Sequence, residues 1–279
     1  MNATNVLSAR NFLIRGLLAG FIAGILSFGV AYLVGEPSVD AAIAIEEAGS
    51  TTDAAPAPAA QHADSDHHDG SEAAAGHSHG EEAVVSRATQ STWGLLTATV
   101  LFGTALGGIV ALAAAFAAGR VGRLLPRAST LVVGAVGFVA VYLVPYLKYP
   151  PNPPAVGNPD TIGPRTSQYF IMLAVSIVAA VVAMAIVRKI AAHLGGFNAA
   201  LIGIAGFAAV TLVTAKLLPV IDEVPASFPG DLLWSFRLGS ITVQATLWLS
   251  LTVILAVLVH SMTQPRDVAL PPSRPVASL

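Results

Sequence analysis

The chain has 279 residues, of which 54% are hydrophobic, 11% are charged and none is cysteine. These proportions exclude an ordinary soluble domain, with about 45–50% apolar and about 25% charged residues, and they indicate an integral membrane protein. The lack of cysteine excludes disulfides and thiolate metal sites, so imidazole and carboxylate groups are the candidate metal ligands.

Long apolar segments predict an all-α membrane protein with about six transmembrane helices, arranged as three hairpins. A helix of about 20 residues spans the roughly 30 Å hydrocarbon core of a bilayer. The predicted helices are residues 12–34, 93–118, 128–147, 169–187, 197–218 and 238–262. A cleaved signal peptide is an alternative for the first, but its 23 apolar residues exceed the usual apolar core of about 7–15 and favour a membrane anchor.

Glycine spacing in the first helix predicts close packing against another helix. Gly16, Gly20 and Gly24 recur every four residues and therefore share one helix face. Ladders of small residues let two membrane helices approach closely.

The charges favour a topology with both termini in the cytoplasm, because basic residues accumulate in cytoplasmic connections. Of the 14 basic residues, nine fall on that side: Arg10, Arg15, Arg120, Arg123, Arg127, Arg188, Lys189, Arg266 and Arg274. All acidic residues except Asp267 fall on the other side. This predicts a cytoplasmic N-terminus (1–11), outer loops at 35–91, 148–168 and 219–237, and a disordered cytoplasmic tail (263–279).

The first outer loop carries a tract of histidines and acids that predicts divalent-metal binding. Residues 62–82 read HADSDHHDGSEAAAGHSHGEE and lack the large apolar side chains that build a core. Imidazole suits Co, Ni, Cu and Zn, but a flexible tract does not select among them. Exposed low-complexity filler is the alternative. The candidate ligands are His62, Asp64, Asp66, His67, His68, Asp69, His77 and His79.

A second candidate cation site lies just beyond the first helix. Glu36, Asp40 and Glu47 have spacings of four and seven, which place them on one helix face. A solvated helix face is the alternative reading.

Three arginines begin the even-numbered helices on the predicted acidic side. Arg87, Arg165 and Arg237 are expected to hold loop carboxylates through planar, bidentate contacts. Exposed interfacial arginines are the alternative. The candidate partners are Glu36, Asp160, Asp222, Glu223 and Asp231.

No phosphate-binding Gly-x4-Gly-Lys, His-Glu-x2-His or Gly-x-Ser-x-Gly motif occurs in the sequence. We therefore expect no enzyme activity, no permanently bound cofactor and no nucleic-acid partner. The lipid bilayer and a divalent metal ion are the expected partners.

Several motifs resemble those of CbtA, a family of predicted cobalt transporter subunits. They are Arg15-Gly-Leu-Leu-Ala-Gly, Gly35-Glu-Pro-Ser-Val-Asp, Pro150-Pro-Asn-Pro-Pro-Ala-Val-Gly, Asp160-Thr-Ile-Gly-Pro-Arg165 and the stretch from Leu218-Pro to Arg237. The resemblance implies bacterial cobalt uptake across the cytoplasmic (inner) membrane, linked to cobalamin biosynthesis, beside a small His-containing membrane protein (CbtB) of the same transporter system. The family is commonly described with five helices, one fewer than predicted here. A nickel or zinc transporter and a non-transporting metal-binding or scaffold protein remain alternatives.

Overall fold

The computed structural model describes residues 8–53, 85–120, 124–154, 156–157 and 159–263. Within these ranges the regular structure is entirely helical, as predicted. Five helices are long and apolar enough to cross a membrane. They are α1 (Ala9–Gly49), α2 (Arg87–Ala117), α3 (Pro126–Lys148), α4 (Ile162–Leu217) and α5 (Gly230–Met262).

The count is five because two of the predicted helices fall within α4, which has 56 residues. A straight helix of that length would measure about 84 Å, far more than a bilayer core. Gly195 interrupts it with φ 76° and ψ 159°, a backbone conformation that glycine adopts without steric cost. The break lies at the end of the predicted connection, because helical geometry continues through Arg188 and Lys189 to Leu194.

The chain reverses direction at Gly195. A Cβ added at Gly203 would overlap the Val187 side chain and lie 3.6 Å from the carbonyl oxygen of Ala183. In a straight helix, residues 20 positions apart would be separated by about 30 Å. Two antiparallel arms, 162–194 and 196–217, therefore pack against each other.

The helices extend beyond the predicted apolar segments, because hydrogen-bonded helical geometry continues into polar flanks. A π-helical turn, Ala31–Gly35, joins the first apolar stretch to a helix that runs to Asp53. α2 begins at Arg87, where the Ser86 side chain accepts a hydrogen bond from the Thr89 amide. The predicted outer loops are consequently shorter, since α4 begins at Ile162 and α5 at Gly230.

The glycine ladder of α1 packs directly on α2, which confirms the predicted close approach. A Cβ added at Gly20 would overlap the carbonyl oxygen of Gly103, and one added at Gly24 would lie 2.7 Å from that of Thr99. These contacts are with backbone atoms, which cannot rotate away as a side chain can. The two helices therefore need hydrogen in place of a side chain along this seam.

The remaining helices surround this pair unequally. α1 also packs against α5, and α5 packs against α3. Their shared core includes Phe12 of α1 together with Leu251 and Leu255 of α5. α4 packs mainly on the second half of α3, where the Ser176 hydroxyl donates a 2.7 Å hydrogen bond to the carbonyl oxygen of Ala140.

Both proline-rich loops and the extension of α1 lie at one end of the bundle. Gly239 of α5 lies beside Val34 and Gly35 of α1. Lys148 at the end of α3 donates a hydrogen bond to Leu218 at the end of α4. We call this the acidic end, defined by Glu36, Asp40 and Glu223. Ser8, Gly195 and Met262 lie toward the opposite end.

Candidate functional site at the acidic end

Arg87 at the start of α2 holds two carboxylates of α1. Its Nη2 donates to Glu36 Oε2 and, at 2.8 Å, to Asp40 Oδ1, which also accepts from Nε at 3.0 Å. The Glu36 side chain is 13% exposed, whereas that of Asp40 is 61% exposed. Glu36 and Asp40 come together because they lie one turn apart on a continuous helix.

The other predicted metal ligands are not brought to this cluster. Glu47 lies about 10 Å beyond Asp40 along the helix axis, too far to share one ion with it. Among the residues that the structure describes, no three His, Asp or Glu side chains are grouped closely enough to hold a metal. His62, Asp64, Asp66, His67, His68, Asp69, His77 and His79 all lie outside the described residues.

Glu223 of the loop between α4 and α5 is held by residues that precede or begin α4. Arg165 Nη1 donates to its Oε2, and the Thr161 hydroxyl donates to its Oε1. The Asn152 side chain also hydrogen-bonds to it. The bidentate guanidinium contact expected from the sequence does not form here, because the two carboxylate oxygens have different donors.

The surroundings of Glu223 favour its ionised form. Hydrogen bonds from Thr161 lower the pKa of this carboxyl group the most; burial opposes this, and Arg165 and Asn152 lower the pKa further. The side chain is 4% exposed, whereas that of Arg165 is 38% exposed. Glu223 is therefore a buried anion whose charge is matched by a cation that reaches solvent.

Arg237 of α5 takes part in a different set of contacts. Its Nη2 lies 3.3 Å from Asn152 Oδ1, and its carbonyl oxygen accepts a 2.9 Å hydrogen bond from the Tyr146 hydroxyl. Its Nε is buried without a hydrogen-bond partner among the described residues. Asn152 thus connects the Arg165–Glu223 pair to α5, a role that the sequence did not reveal.

The remaining candidate acids have local positions. Asp222 accepts a 3.3 Å hydrogen bond from the Val224 amide and so shapes its own loop. Asp231 lies in the first turn of α5, where a helix dipole favours negative charge. Asp160 lies in the single 3-10 turn Pro159–Thr161 that precedes α4.

Two contacts between the ends of α3 and α4 were also not predicted. Lys148 Nζ donates to the Leu218 carbonyl at 3.0 Å, and the Tyr149 hydroxyl donates to the Pro219 carbonyl at 2.9 Å. Both acceptors are backbone oxygens at the end of a helix, which have no intrahelical partner. Sequence reasoning pairs charged side chains with one another and has no signal for such acceptors.

A cavity of about 270 Å³ lies between the end of α3 and the start of α4. It is lined by Tyr142, Tyr146, Tyr149, Pro150, Pro151, Arg165, Thr166 and Tyr169. The first three tyrosines have spacings of four and three, which place them on one helix face. That spacing was the available sequence signal for the cavity.

Comparisons with known proteins agree with this membrane architecture. A model of the family described as "Probable cobalt transporter subunit (CbtA)" matches residues 9–260, which is most of the chain. No curated protein and no solved structure matches the chain. The matched region includes all five long helices except the last residues of α5, together with both loops of the acidic end. The chain belongs to the CbtA family of probable cobalt transporter subunits.

Proposed function

We propose that the protein is the membrane subunit of a divalent transition-metal uptake transporter, that cobalt is its metal, and that it captures this metal on the outer face. The observation that carries the proposal is the family match over residues 9–260. The charge distribution supports it, because the proposed outer face holds all but one of the acidic residues and attracts cations. The proposed partner is CbtB, the small membrane protein of the same transporter system.

The proposed topology has six crossings in the bacterial inner membrane, with both termini in the cytoplasm. The reversal at Gly195 supports it, because each arm of α4 is long enough to span a bilayer. Single cysteines introduced at Ser167 and Ser227 should react with an impermeant reagent on intact cells, whereas one at His193 should not. The chain lacks cysteine, so each label reports one position. Labelling of His193→Cys from outside would contradict the topology.

The proposed route of the metal begins at the histidine tract and continues to Glu36 and Asp40. Glu47 extends the same acidic helix toward the tract. Arg87 occupies the two membrane-proximal carboxylates, so a metal must compete with its guanidinium. The exposed pair with Asp40 is easily broken, because solvent-exposed ion pairs contribute roughly 0–1 kcal/mol. Exchange of Arg87 for the ion would bring the metal to the mouth of the bundle.

Flux measured with purified protein tests the function directly. The full chain is reconstituted into lipid vesicles with and without CbtB, and uptake of radioactive cobalt is compared with that into empty vesicles. We expect uptake that requires the chain and that excess unlabelled cobalt suppresses. Stronger suppression by nickel or zinc than by cobalt would assign another metal. Metal binding without flux under both conditions would indicate a scaffold or binding protein.

A further inference from the structure

We infer that the tyrosine-lined cavity between α3 and α4 binds a small oxyanion, such as the carboxylate of an organic acid. Its volume of about 270 Å³ is near the lower end of the roughly 300–1,000 Å³ of small-molecule sites. It opens beside the loop that carries Pro150 and Pro151. The inference concerns binding alone and is independent of whether the protein transports cobalt.

The lining favours an anion over a bare metal ion. It contains the guanidinium of Arg165 and the hydroxyl groups of tyrosines and Thr166, but no carboxylate and no imidazole among the described residues. A divalent cation in this position would face a positive charge without an anionic ligand. A carboxylate or phosphate would instead accept hydrogen bonds from these groups, and charge-assisted bonds of this kind are the stronger ones.

Arg165 has donors to spare for such a ligand. Glu223 accepts from its Nη1, whereas a guanidinium carries five N–H donors. The Glu223 contact fixes the orientation of the planar group and so places the other N–H groups in advance. A ligand that meets an oriented donor binds with a smaller entropic cost than one that must order it.

Tyr142 supplies the second observation. Its hydroxyl group is buried without a hydrogen-bond partner among the described residues, which is costly for a polar group removed from water. Tyr142 lies in the π-helical turn Phe138–Leu143 of α3, and such turns are frequent at functional sites. A ligand oxygen in the cavity would satisfy this hydroxyl. The Tyr146 and Tyr149 hydroxyls already donate to Arg237 and Pro219 and serve as walls.

Two sources could supply this chemistry: a soluble organic acid, including one that chelates the transported metal, and the phosphate of a lipid headgroup. The full chain is placed in nanodiscs of zwitterionic lipid, and binding of radioactive citrate is measured. Tyr142→Phe keeps the ring and removes the hydroxyl, so we expect citrate affinity to fall about tenfold or more. Tyr32→Phe on α1, outside the cavity, is the matched control and should bind as the unmodified chain does.

The second arm distinguishes the sources. If citrate does not bind, but anionic lipid in the nanodisc raises the Tm of the unmodified chain and not that of Tyr142→Phe, the ligand is a headgroup phosphate. If Tyr142→Phe does not fold, Thr166→Val replaces it with the same expectation. Failure of both citrate and anionic lipid to distinguish the cavity variant from the control would overturn the inference. Citrate binding without cobalt flux would contradict only the transport proposal.

Discussion

Arg165 in the first turn of α4 donates to the buried carboxylate of Glu223, which lies 58 residues later in the loop that leads to α5. The contact joins the two ends of the α4 hairpin, since its arms begin and finish at the acidic end. Removing the guanidinium leaves Glu223, 4% exposed, with only neutral donors from Thr161 and Asn152.

We predict that Arg165→Gln lowers the free energy of unfolding by about 1.5–3 kcal/mol, the usual contribution of a hydrogen bond to a charged group. Arg165→Lys should lose less, because one donor and the positive charge suffice for the single contact to Oε2. Thermal unfolding in detergent measures both. Arg120→Gln, at the opposite end of the bundle, is the control. Equal stability of Arg165→Gln and the unmodified chain would show that the loop is held without this pair.

Glu223 also predicts a pH dependence of stability. Its pKa in the folded state is below the ordinary value of 4.5, so near and below this pH the unfolded chain binds a proton more readily. The stabilisation is complete above about pH 4.5 and is lost as pH falls through the lower pKa of the folded state. Tm measured from pH 7 down to pH 3 should decrease less steeply for Glu223→Gln than for the unmodified chain. Parallel pH profiles would contradict this prediction.

The glycine seam predicts a strong dependence on position within one helix. Gly20→Ala would force a methyl group against the backbone of Gly103, and overpacking typically costs about 1–3 kcal/mol or more. Gly29→Ala, where no atom lies within 4 Å of the added carbon, is the control and should be neutral or slightly stabilising. Folded yield and Tm are the measurements. Similar losses in both variants would indicate that helix contact is not the cause.

The histidine tract predicts a loss that depends on metal concentration. We expect deletion of residues 62–79 to reduce uptake when cobalt is scarce and to spare it when cobalt is abundant. A tract that only concentrates ions becomes dispensable once its effect on local concentration is no longer limiting. A replacement segment of equal length, with every histidine changed to Gln, separates the loss of ligands from the loss of length. Equal impairment at both concentrations would assign the tract another role.

Arg87 offers a test of the route that does not involve the tract. Arg87→Gln frees Glu36 and Asp40 from their guanidinium, so we expect cobalt to bind more tightly at the acidic end of a protein from which residues 62–79 have been deleted. Cobalt binding by titration, with Glu36→Gln and Asp40→Asn added to abolish the gain, measures this. No change in affinity would remove these carboxylates from the proposed route.

The sequence predicted the helical class and the α1 seam because both depend on local periodicity. Gly16, Gly20 and Gly24 define a face without knowledge of the partner helix. The same reasoning placed Arg87, Arg165 and Arg237 at one end of the bundle together with the loop acids. It did not assign partners, because a loop brings Glu223 to Thr161 and Asn152 through contacts that have no sequence periodicity.

Hydropathy also misplaced the ends of helices, for a physical reason. It reports where side chains prefer lipid, whereas helical hydrogen bonding continues as long as the backbone permits. The extension of α1 from Glu36 to Asp53 and the continuation of α4 through Arg188 both follow from this difference. Gly195 ends the first arm of α4 because its positive φ breaks the hydrogen-bonding pattern, not because the segment becomes polar.

The uneven packing of the helices makes the molecule mechanically asymmetric. Backbone-to-backbone contact between α1 and α2, reinforced by α5, resists sliding, since close-packed interfaces are bistable and do not deform continuously. The α4 hairpin has the lowest buried share of its apolar window among the five helices, 17%, and its packing against the bundle is concentrated on the second half of α3. Displacing α4 therefore disturbs fewer contacts than displacing α1. Its attachments at the acidic end, through Lys148, Tyr149 and Arg165, would act as the pivot about which the opposite end of the hairpin swings.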